Sequence, residues 1–161
     1  MSYSQVQHAH NKSSVGQLTA ALYNFDPERC LDQLKDLFHD NCAIRLSHPL
    51  GDMTGAAEFV QNALLPLQSA LPDLERRDYI GIAGTSKNAE SGDSNQWVGS
   101  AGYYTGVFTS PWLDIPPTGH QISMRFHEFY RFRDGKIAEI QALWDIVDVM
   151  RQANALSLIH I

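Results

Sequence analysis

Side chains that can exchange protons lie near one another late in the chain. Asp145 follows Trp144, and Arg125 and His127 lie on the segment before it. A carboxylate in apolar surroundings becomes a better base because desolvation raises its pKa, and histidine titrates near neutral pH. These side chains could therefore carry acid–base chemistry. The alternative is structural: Asp145 could cap the end of a strand, and His127 could be a half-buried histidine that makes a structural hydrogen bond.

Further polar and aromatic side chains could bind a substrate beside them. His48 lies in a turn before Pro49, which favours an extended backbone and suits either a pocket wall or a cap for the next helix. Glu128 is a second carboxylate, adjacent to His127. Four aromatic residues could line the mouth of a pocket or fill the core: Trp97, Tyr104, Trp112 and Trp144.

The relative positions of these residues depend on one hairpin. Asp134-Gly135 between two apolar runs is a strong signal for a two-residue turn. Counting back from that turn places His127 opposite Ala142 and leaves Asp145 on the other face of the sheet. A β-bulge would shift the register by one residue and reverse this placement. Two groupings stay open: Asp145 with Glu128 and Gln141, or Asp145 with Arg125 and His127.

Other kinds of chemistry find little support. With 12 Lys+Arg against 18 Asp+Glu, the formal net charge is -6, which predicts no basic surface for nucleic acid. Three of the seven histidines lie in the tails of the chain, the other four show no HxxxH or HxH spacing, and Cys30 and Cys42 form no CxxC pair. No glycine-rich phosphate loop and no GxSxG motif occurs. We therefore expect no metal site, and reduced, mostly buried cysteines.

The apolar periodicity along the chain predicts one α+β domain. Helices are predicted over residues 15–40, with a break at Asp26-Pro27, and over residues 55–69, where Pro66 should kink or end the helix. Strands are predicted over residues 42–47, 77–83, 96–108, 121–133 and 136–147, with a loop over residues 84–95. A curved antiparallel or mixed sheet should therefore wrap around N-terminal helices as a cone that contains a pocket.

Short motifs occur in a characteristic order: His48-Pro49-x-Gly51, Leu71-Pro72-Asp73-Leu74, Gly102-x-x-x-Gly106-x-Phe108, Ile115-Pro116-Pro117-Thr118-Gly119, Arg131-Phe132-x-Asp134-Gly135-Lys136-Ile137-x-Glu139 and Trp144-Asp145. This ordered set, over roughly residues 15–153, resembles the SnoaL-like polyketide cyclase or ester cyclase family of the nuclear-transport-factor-2-like superfamily. The resemblance implies the cone fold and a pocket lined by helices and sheet. It also implies an enzyme without cofactor that closes rings by intramolecular aldol condensation.

The resemblance also implies roles for the residues above. Asp145 matches the position of the family's acid/base, and His48 matches the His-Pro motif at the family's cavity. From the residues themselves we expect His127 to be the catalytic partner of Asp145, and Arg125, Glu128 and the four aromatic residues to bind a small carbonyl compound with His48. The family often has histidine where this chain has Ile140. A non-catalytic ligand-binding or dimerisation module therefore stays an alternative, as does a hydrolase or dehydratase. A homodimer through the outer sheet face is a further expectation.

The two ends of the chain carry separate expectations. Residues 1–13 show no periodicity and are predicted to form a disordered tail. No apolar stretch of signal-peptide or membrane-spanning type is found, so a cytoplasmic location is expected. Residues 156–161 read like a translated sequencing adapter, which predicts a natural domain over residues 14–155 followed by an artefact.

Overall fold

The computed structural model describes residues 3–87 and 92–156 as five α-helices and six strands. The helices are α1 Tyr3–Leu22, α2 Pro27–Leu37, α3 Gly55–Phe59, α4 Leu65–Ala70 and α5 Ile146–Gln152. A π-helical turn, Val60–Leu64, joins α3 to α4. The strands are β1 Phe38–Leu46, β2 Asp52–Thr54, β3 Glu75–Lys87, β4 Ser94–Val107, β5 Gln121–Arg133 and β6 Lys136–Trp144. Within the described ranges, no helix is both long and apolar enough to span a membrane.

All six strands form one mixed sheet in the order β2-β1-β6-β5-β4-β3. Strands β1 and β6 run parallel, and the other neighbours are antiparallel. Helix α1 packs on β3 and β4, and α3 packs on β1. The predicted α+β class, with a mixed sheet against N-terminal helices, is confirmed.

The sheet has two chemically different faces. Along most of β5, even-numbered residues are buried and odd-numbered residues face solvent, as expected for side chains that alternate across a strand. We call the face that the helices cover the inner face and the opposite one the outer face. Glu128 therefore lies on the inner face, whereas Arg125 and His127 lie on the outer face.

A β-bulge in β6 determines the face of the sheet on which Asp145 lies. Phe132 pairs with Ile137 but Arg131 pairs with Glu139, so Ala138 is an extra residue without a partner on β5. Beyond the bulge, His127 pairs with Leu143 rather than with Ala142. The simple hairpin register was therefore wrong by one residue.

A second bulge lies in β3, the strand at the sheet edge. Asp78 pairs with Gly102 and Ile80 pairs with Ala101, which leaves Tyr79 as the extra residue. The bulge allows Asp78 to face α1 while Ile80 is exposed.

The disordered-tail prediction is wrong for residues 3–13, which form the first half of α1. His8 Nε2 lies 3.1 Å from Thr85 Oγ1 in a hydrogen bond, and the side chain of Asn11 is fully buried. Polar residues make the contacts of this part of α1. The segment therefore lacks the apolar periodicity by which a helix is recognised in a sequence. Of the proposed artefact, only Leu156 falls within the described residues.

Four other strand boundaries differ from the prediction. Strand β1 begins at Phe38, inside the predicted second helix, and β3 and β4 extend to Lys87 and Ser94 in the predicted loop. The last strand ends at Trp144, and α5 follows it. Pro66 lies just after the π-helical turn, a common way for a helix to accommodate an irregularity.

Candidate functional site

A pocket of about 340 Å³ lies on the outer face where β1, β5 and β6 approach α5. We call it the outer pocket. Five of the residues singled out from the sequence line it: His48, Arg125, His127, Trp144 and Asp145. The bulge in β6 therefore produces the second of the two groupings, with Asp145 beside Arg125 and His127 and away from Glu128.

Two backbone connections hold the outer pocket together. Ser47 Oγ accepts a hydrogen bond from Trp144 N at 3.1 Å and donates one to the Trp144 carbonyl at 3.0 Å. Asp145 N donates to the Arg125 carbonyl at 2.9 Å. Because His48 follows Ser47 and Asp145 follows Trp144, these bonds fix both candidate residues at the same end of the sheet.

The carboxylate of Asp145 has a structural role as well as a place in the pocket. Its Oδ1 accepts a hydrogen bond of 3.1 Å from Asp148 N, which makes Asp145 the N-cap of α5. The capping alternative is thus observed, at a helix rather than at a strand. Within residues 3–87 and 92–156, Oδ2 has no hydrogen-bond partner, so one oxygen is left for a ligand.

The rest of the outer pocket combines a cation with apolar walls. Arg125 is exposed, and its guanidinium lies 3.5 Å from Tyr103 OH and 5.8 Å from the Tyr103 ring centre. Contact with Tyr103 raises the pKa of Arg125, and the charge of Asp145 adds a smaller effect in the same direction. Leu143 and Val147, each 60% exposed, form part of the walls. A donor, a carboxylate and apolar surface therefore converge, as in small-molecule sites.

The remaining predicted site residues lie elsewhere. Trp97 lines an outer groove with Ile82 and Phe129. Trp112 is buried in the loop after β4, where it forms a bridge with Ile115. Tyr104, Glu128 and the indole of Trp144 lie inside the protein. The structure does not bring these side chains to Asp145.

A buried ionic cluster on the inner face was not anticipated from the sequence. We call it the Arg76 cluster, and its members are Arg76, Asp78, Tyr104, Glu128, Tyr130 and Trp144. Arg76 donates to Glu128 Oε2 at 2.6 Å and to Asp78 Oδ1 at 3.0 Å, and its side chain is fully buried. Glu128 also accepts hydrogen bonds from Tyr130 OH, from Tyr104 OH at 3.2 Å and from Trp144 Nε1 at 2.8 Å.

The pKa shifts of Asp78 and of the two tyrosines in this cluster keep their protonation states constant near neutral pH. Burial alone would raise the pKa of Asp78, but Arg76 and the hydrogen bonds from Arg76, Ser100 and Thr19 lower it. Burial raises the pKa of Tyr104 and Tyr130. Asp78 is therefore ionised and weakly basic near neutral pH, and the tyrosines stay protonated.

A second pocket, of about 330 Å³, lies between α1 and strands β3 and β4. We call it the inner pocket. It is lined by helix and sheet, as the resemblance implies, but by none of the predicted site residues. Asp78 borders it, with 29% of its side chain exposed. One feature of the sequence could have pointed to the Arg76 cluster. Arg76 and Asp78 are two positions apart on strand β3, so their side chains lie on the same face of the sheet.

Other reactive groups in the described ranges are inert or scattered. Burial raises the pKa of Cys30 to about 11 and that of Cys42 to about 12, so both are thiols at neutral pH. Across the part of the chain that the structure describes, no three His, Cys, Asp or Glu side chains cluster as a metal site would require.

Comparison with known proteins decides the family. The model of the SnoaL-like polyketide cyclases matches residues 15–153. The chain belongs to this family. No curated protein matches the SnoaL-like chain.

Solved structures agree with that assignment at the level of the fold. A candidate SnoaL-like polyketide cyclase from Jannaschia sp. CCS1 aligns with a TM-score of 0.74 and 19% identity, over 96% of each chain. IdmH, a candidate polyketide cyclase from Streptomyces antibioticus, aligns with a TM-score of 0.69 and 18% identity, over 89% of the SnoaL-like chain and 98% of IdmH. AclR, a candidate hydroxylase from Streptomyces galilaeus, aligns with a TM-score of 0.71 and 17% identity, over 92% of the SnoaL-like chain and 87% of AclR. At these identities the likeness shows the fold and leaves the reaction to the residues of the site.

Proposed function

We propose that the protein converts a small, largely apolar carbonyl compound by acid–base chemistry without a cofactor, through aldol ring closure or isomerisation. The outer pocket would be the active site. One observation carries the proposal: Asp145, His127, Arg125 and His48 line a single pocket, the first three through the bulge in β6 and His48 through the bonds of Ser47 to Trp144. The apolar walls beside them suit the carbon skeleton of such a substrate.

In the proposed reaction, Asp145 Oδ2 takes a proton from the carbon next to the substrate carbonyl, and the C–H electron pair forms an enolate. Arg125 and His48, which both line the outer pocket, would donate to the enolate oxygen. In ring closure the enolate carbon bonds to a second carbonyl carbon of the same molecule, and His127 protonates the resulting alkoxide. The proton on Asp145 is then released to water and His127 takes one up from water, which restores both groups. In isomerisation, the proton returns at a different carbon.

The test measures proton exchange, which needs no knowledge of the natural substrate. Cyclohexanone in D₂O exchanges its α-protons when a base removes them, and proton NMR follows the loss of signal. The wild-type protein should accelerate exchange, and Asp145→Asn should reduce the acceleration by about 100-fold or more, because a general base contributes roughly 10²–10⁴-fold. Asparagine can still accept the Asp148 N–H bond, so the cap and the fold should survive.

Asp148→Asn is the matched control, since Asp148 lies in α5 but does not line the outer pocket. It should exchange protons at the wild-type rate. Equal rates for wild type and Asp145→Asn would exclude Asp145 as the base.

A ligand-binding module without catalysis is the second candidate. Two observations favour it, because each makes a carboxylate less available as a base. One oxygen of Asp145 already accepts the hydrogen bond that caps α5, and Arg76 keeps Asp78 ionised and weakly basic. This candidate predicts chemical-shift changes on addition of cyclohexanone without any accelerated exchange. A hydrolase or dehydratase would need a second acid or histidine bonded to Asp145, and none of the described residues supplies one. We do not propose that reaction.

We also propose that the protein forms a homodimer through its outer face. Large apolar side chains there are strongly exposed: Ile80 48%, Ile82 60%, Phe129 48% and Leu143 60%. Contiguous apolar patches of this kind mark interaction surfaces, and a two-fold axis places the same patch on both copies. Phe129→Asp should convert a dimer to a monomer in sedimentation velocity, whereas an unchanged mass would count against this surface.

A further inference from the structure

The inner pocket has opposite charges at its two ends. Helix α1 runs alongside β3 there. At one end Thr19 Oγ1 donates to Asp78 Oδ2 at 2.8 Å. At the other end Lys12 Cε lies 3.9 Å from the place where a Cβ of Gly81 would be. Lys12 and Thr19 are two helical turns apart, or about 10 Å along the axis.

The Asp78 end is built to receive a hydrogen-bond donor. Thr19 and Ser100 both donate their hydroxyl protons to Asp78, the latter at 2.5 Å to Oδ1, and both residues line the pocket. Their oxygens retain lone pairs that accept from a ligand. Among the described residues, Arg76 is the one cation that forms ion pairs with Asp78 and Glu128, so two negative charges face one positive charge. A positively charged donor is therefore favoured over a neutral one.

The Lys12 end is built to receive an anion. Lys12 is exposed and forms no ion pair with any residue of the described ranges. Between the two ends, the buried side chains of Val15 and Val98 form an apolar floor. A Cβ at Gly16 would meet no atom within 4 Å, so this glycine in the interior of a helix leaves open space in the pocket wall.

We propose that the inner pocket binds a short ω-amino carboxylate with an aliphatic spacer. The ammonium would bind at the hydroxyls of Thr19 and Ser100 beside Asp78, the carboxylate at Lys12, and the methylene groups on the apolar floor. This binding site is separate from the outer pocket and does not depend on the proposed reaction.

The first test compares three matched compounds by isothermal titration calorimetry at low salt: 6-aminohexanoate, hexylamine and hexanoate. The zwitterion should bind best, and each compound that lacks one charged group should bind about five-fold more weakly or worse, in line with the modest energies of exposed ion pairs. Equal affinities, or no binding of 6-aminohexanoate, would overturn the proposal.

Variants then locate the binding site. Lys12→Gln should abolish the advantage of 6-aminohexanoate over hexylamine. Gly16→Leu places a side chain in the open space and should abolish binding, whereas Gly16→Ala should retain most of it, and both substitutions favour a helix. Asp145→Asn should bind 6-aminohexanoate as wild type does. Unchanged binding by Gly16→Leu, with an unaltered thermal unfolding curve, would place the ligand elsewhere and refute the assignment.

Discussion

Removal of the buried guanidinium of Arg76 should cost more stability than the loss of any surface ion pair of this protein. Arg76→Met keeps an apolar stem of similar length but removes the bonds to Glu128 at 2.6 Å, to Tyr104 OH at 2.7 Å and to Asp78 at 3.0 and 3.3 Å. Glu128, only 2% exposed, then keeps its hydrogen bonds from neutral groups but loses its counter-charge.

The expected magnitude follows from that burial. Removal of one partner of a buried ion pair costs about 3–5 kcal/mol because the other charge stays desolvated. The ring of Phe126, whose centre lies 4.1 Å from the guanidinium carbon, also loses a cation contact. For a domain of this size, such a loss lowers Tm by roughly 6–20 °C.

Urea unfolding followed by tryptophan fluorescence measures the free energy directly, since Trp144 belongs to the Arg76 cluster. Arg45→Met is the control, because Arg45 and Asp52 lie 2.7 Å apart with side chains 52% and 70% exposed. The control should lose no more than about 1 kcal/mol. Glu128→Gln added to Arg76→Met should restore part of the stability by removing the unpaired charge. A loss for Arg76→Met no larger than that for Arg45→Met would refute this account.

Three more predictions concern Asp78, the two cysteines and Gly102. The lowered pKa of Asp78 gives stability that is present above its ordinary pKa of 3.8 and disappears as the pH falls through the lower folded-state pKa; unfolding free energies from pH 6 to pH 2 should therefore fall more steeply for wild type than for Asp78→Asn. Cys30 and Cys42, with pKa values raised by burial to about 11 and about 12, should react with Ellman's reagent at pH 8 only after unfolding in urea, and rapid reaction of the native protein would contradict this. Gly102→Ala should prevent stable folding, because the new Cβ would lie 2.1 Å from the Arg77 carbonyl oxygen, and a soluble variant with wild-type Tm would show that the backbone can move.

The fold was largely predictable because its main signals are local. The turn at Asp134-Gly135 and the apolar runs beside it identify the β5–β6 hairpin, and both strands are present. A bulge has no such signature: Ala138 is an ordinary residue for a strand, and only the packing of the sheet makes it the unpaired one. That single residue moved Asp145 to the face of His127.

The residues of the candidate site could be picked out from the sequence, but their arrangement could not. His48 and Asp145 could be chosen from the sequence, yet their proximity depends on the hydrogen bonds between Ser47 and Trp144, 97 positions away. Arg76 was missed because a charged residue on a strand is usually exposed. Its burial depends on Glu128 from another strand, so it follows from tertiary structure and not from local pattern.

The bulge at Tyr79 also affects the tendency of the protein to aggregate through the edge of its sheet. Strand β3 is 13 residues long and lies at the edge of the sheet, where unpaired backbone groups invite a strand from another chain. The extra residue breaks the regular spacing of those groups, so an incoming strand can follow β3 on one side of Tyr79 but not along its full length. The irregularity that turns Asp78 toward α1 thereby also protects the edge against growth into fibres.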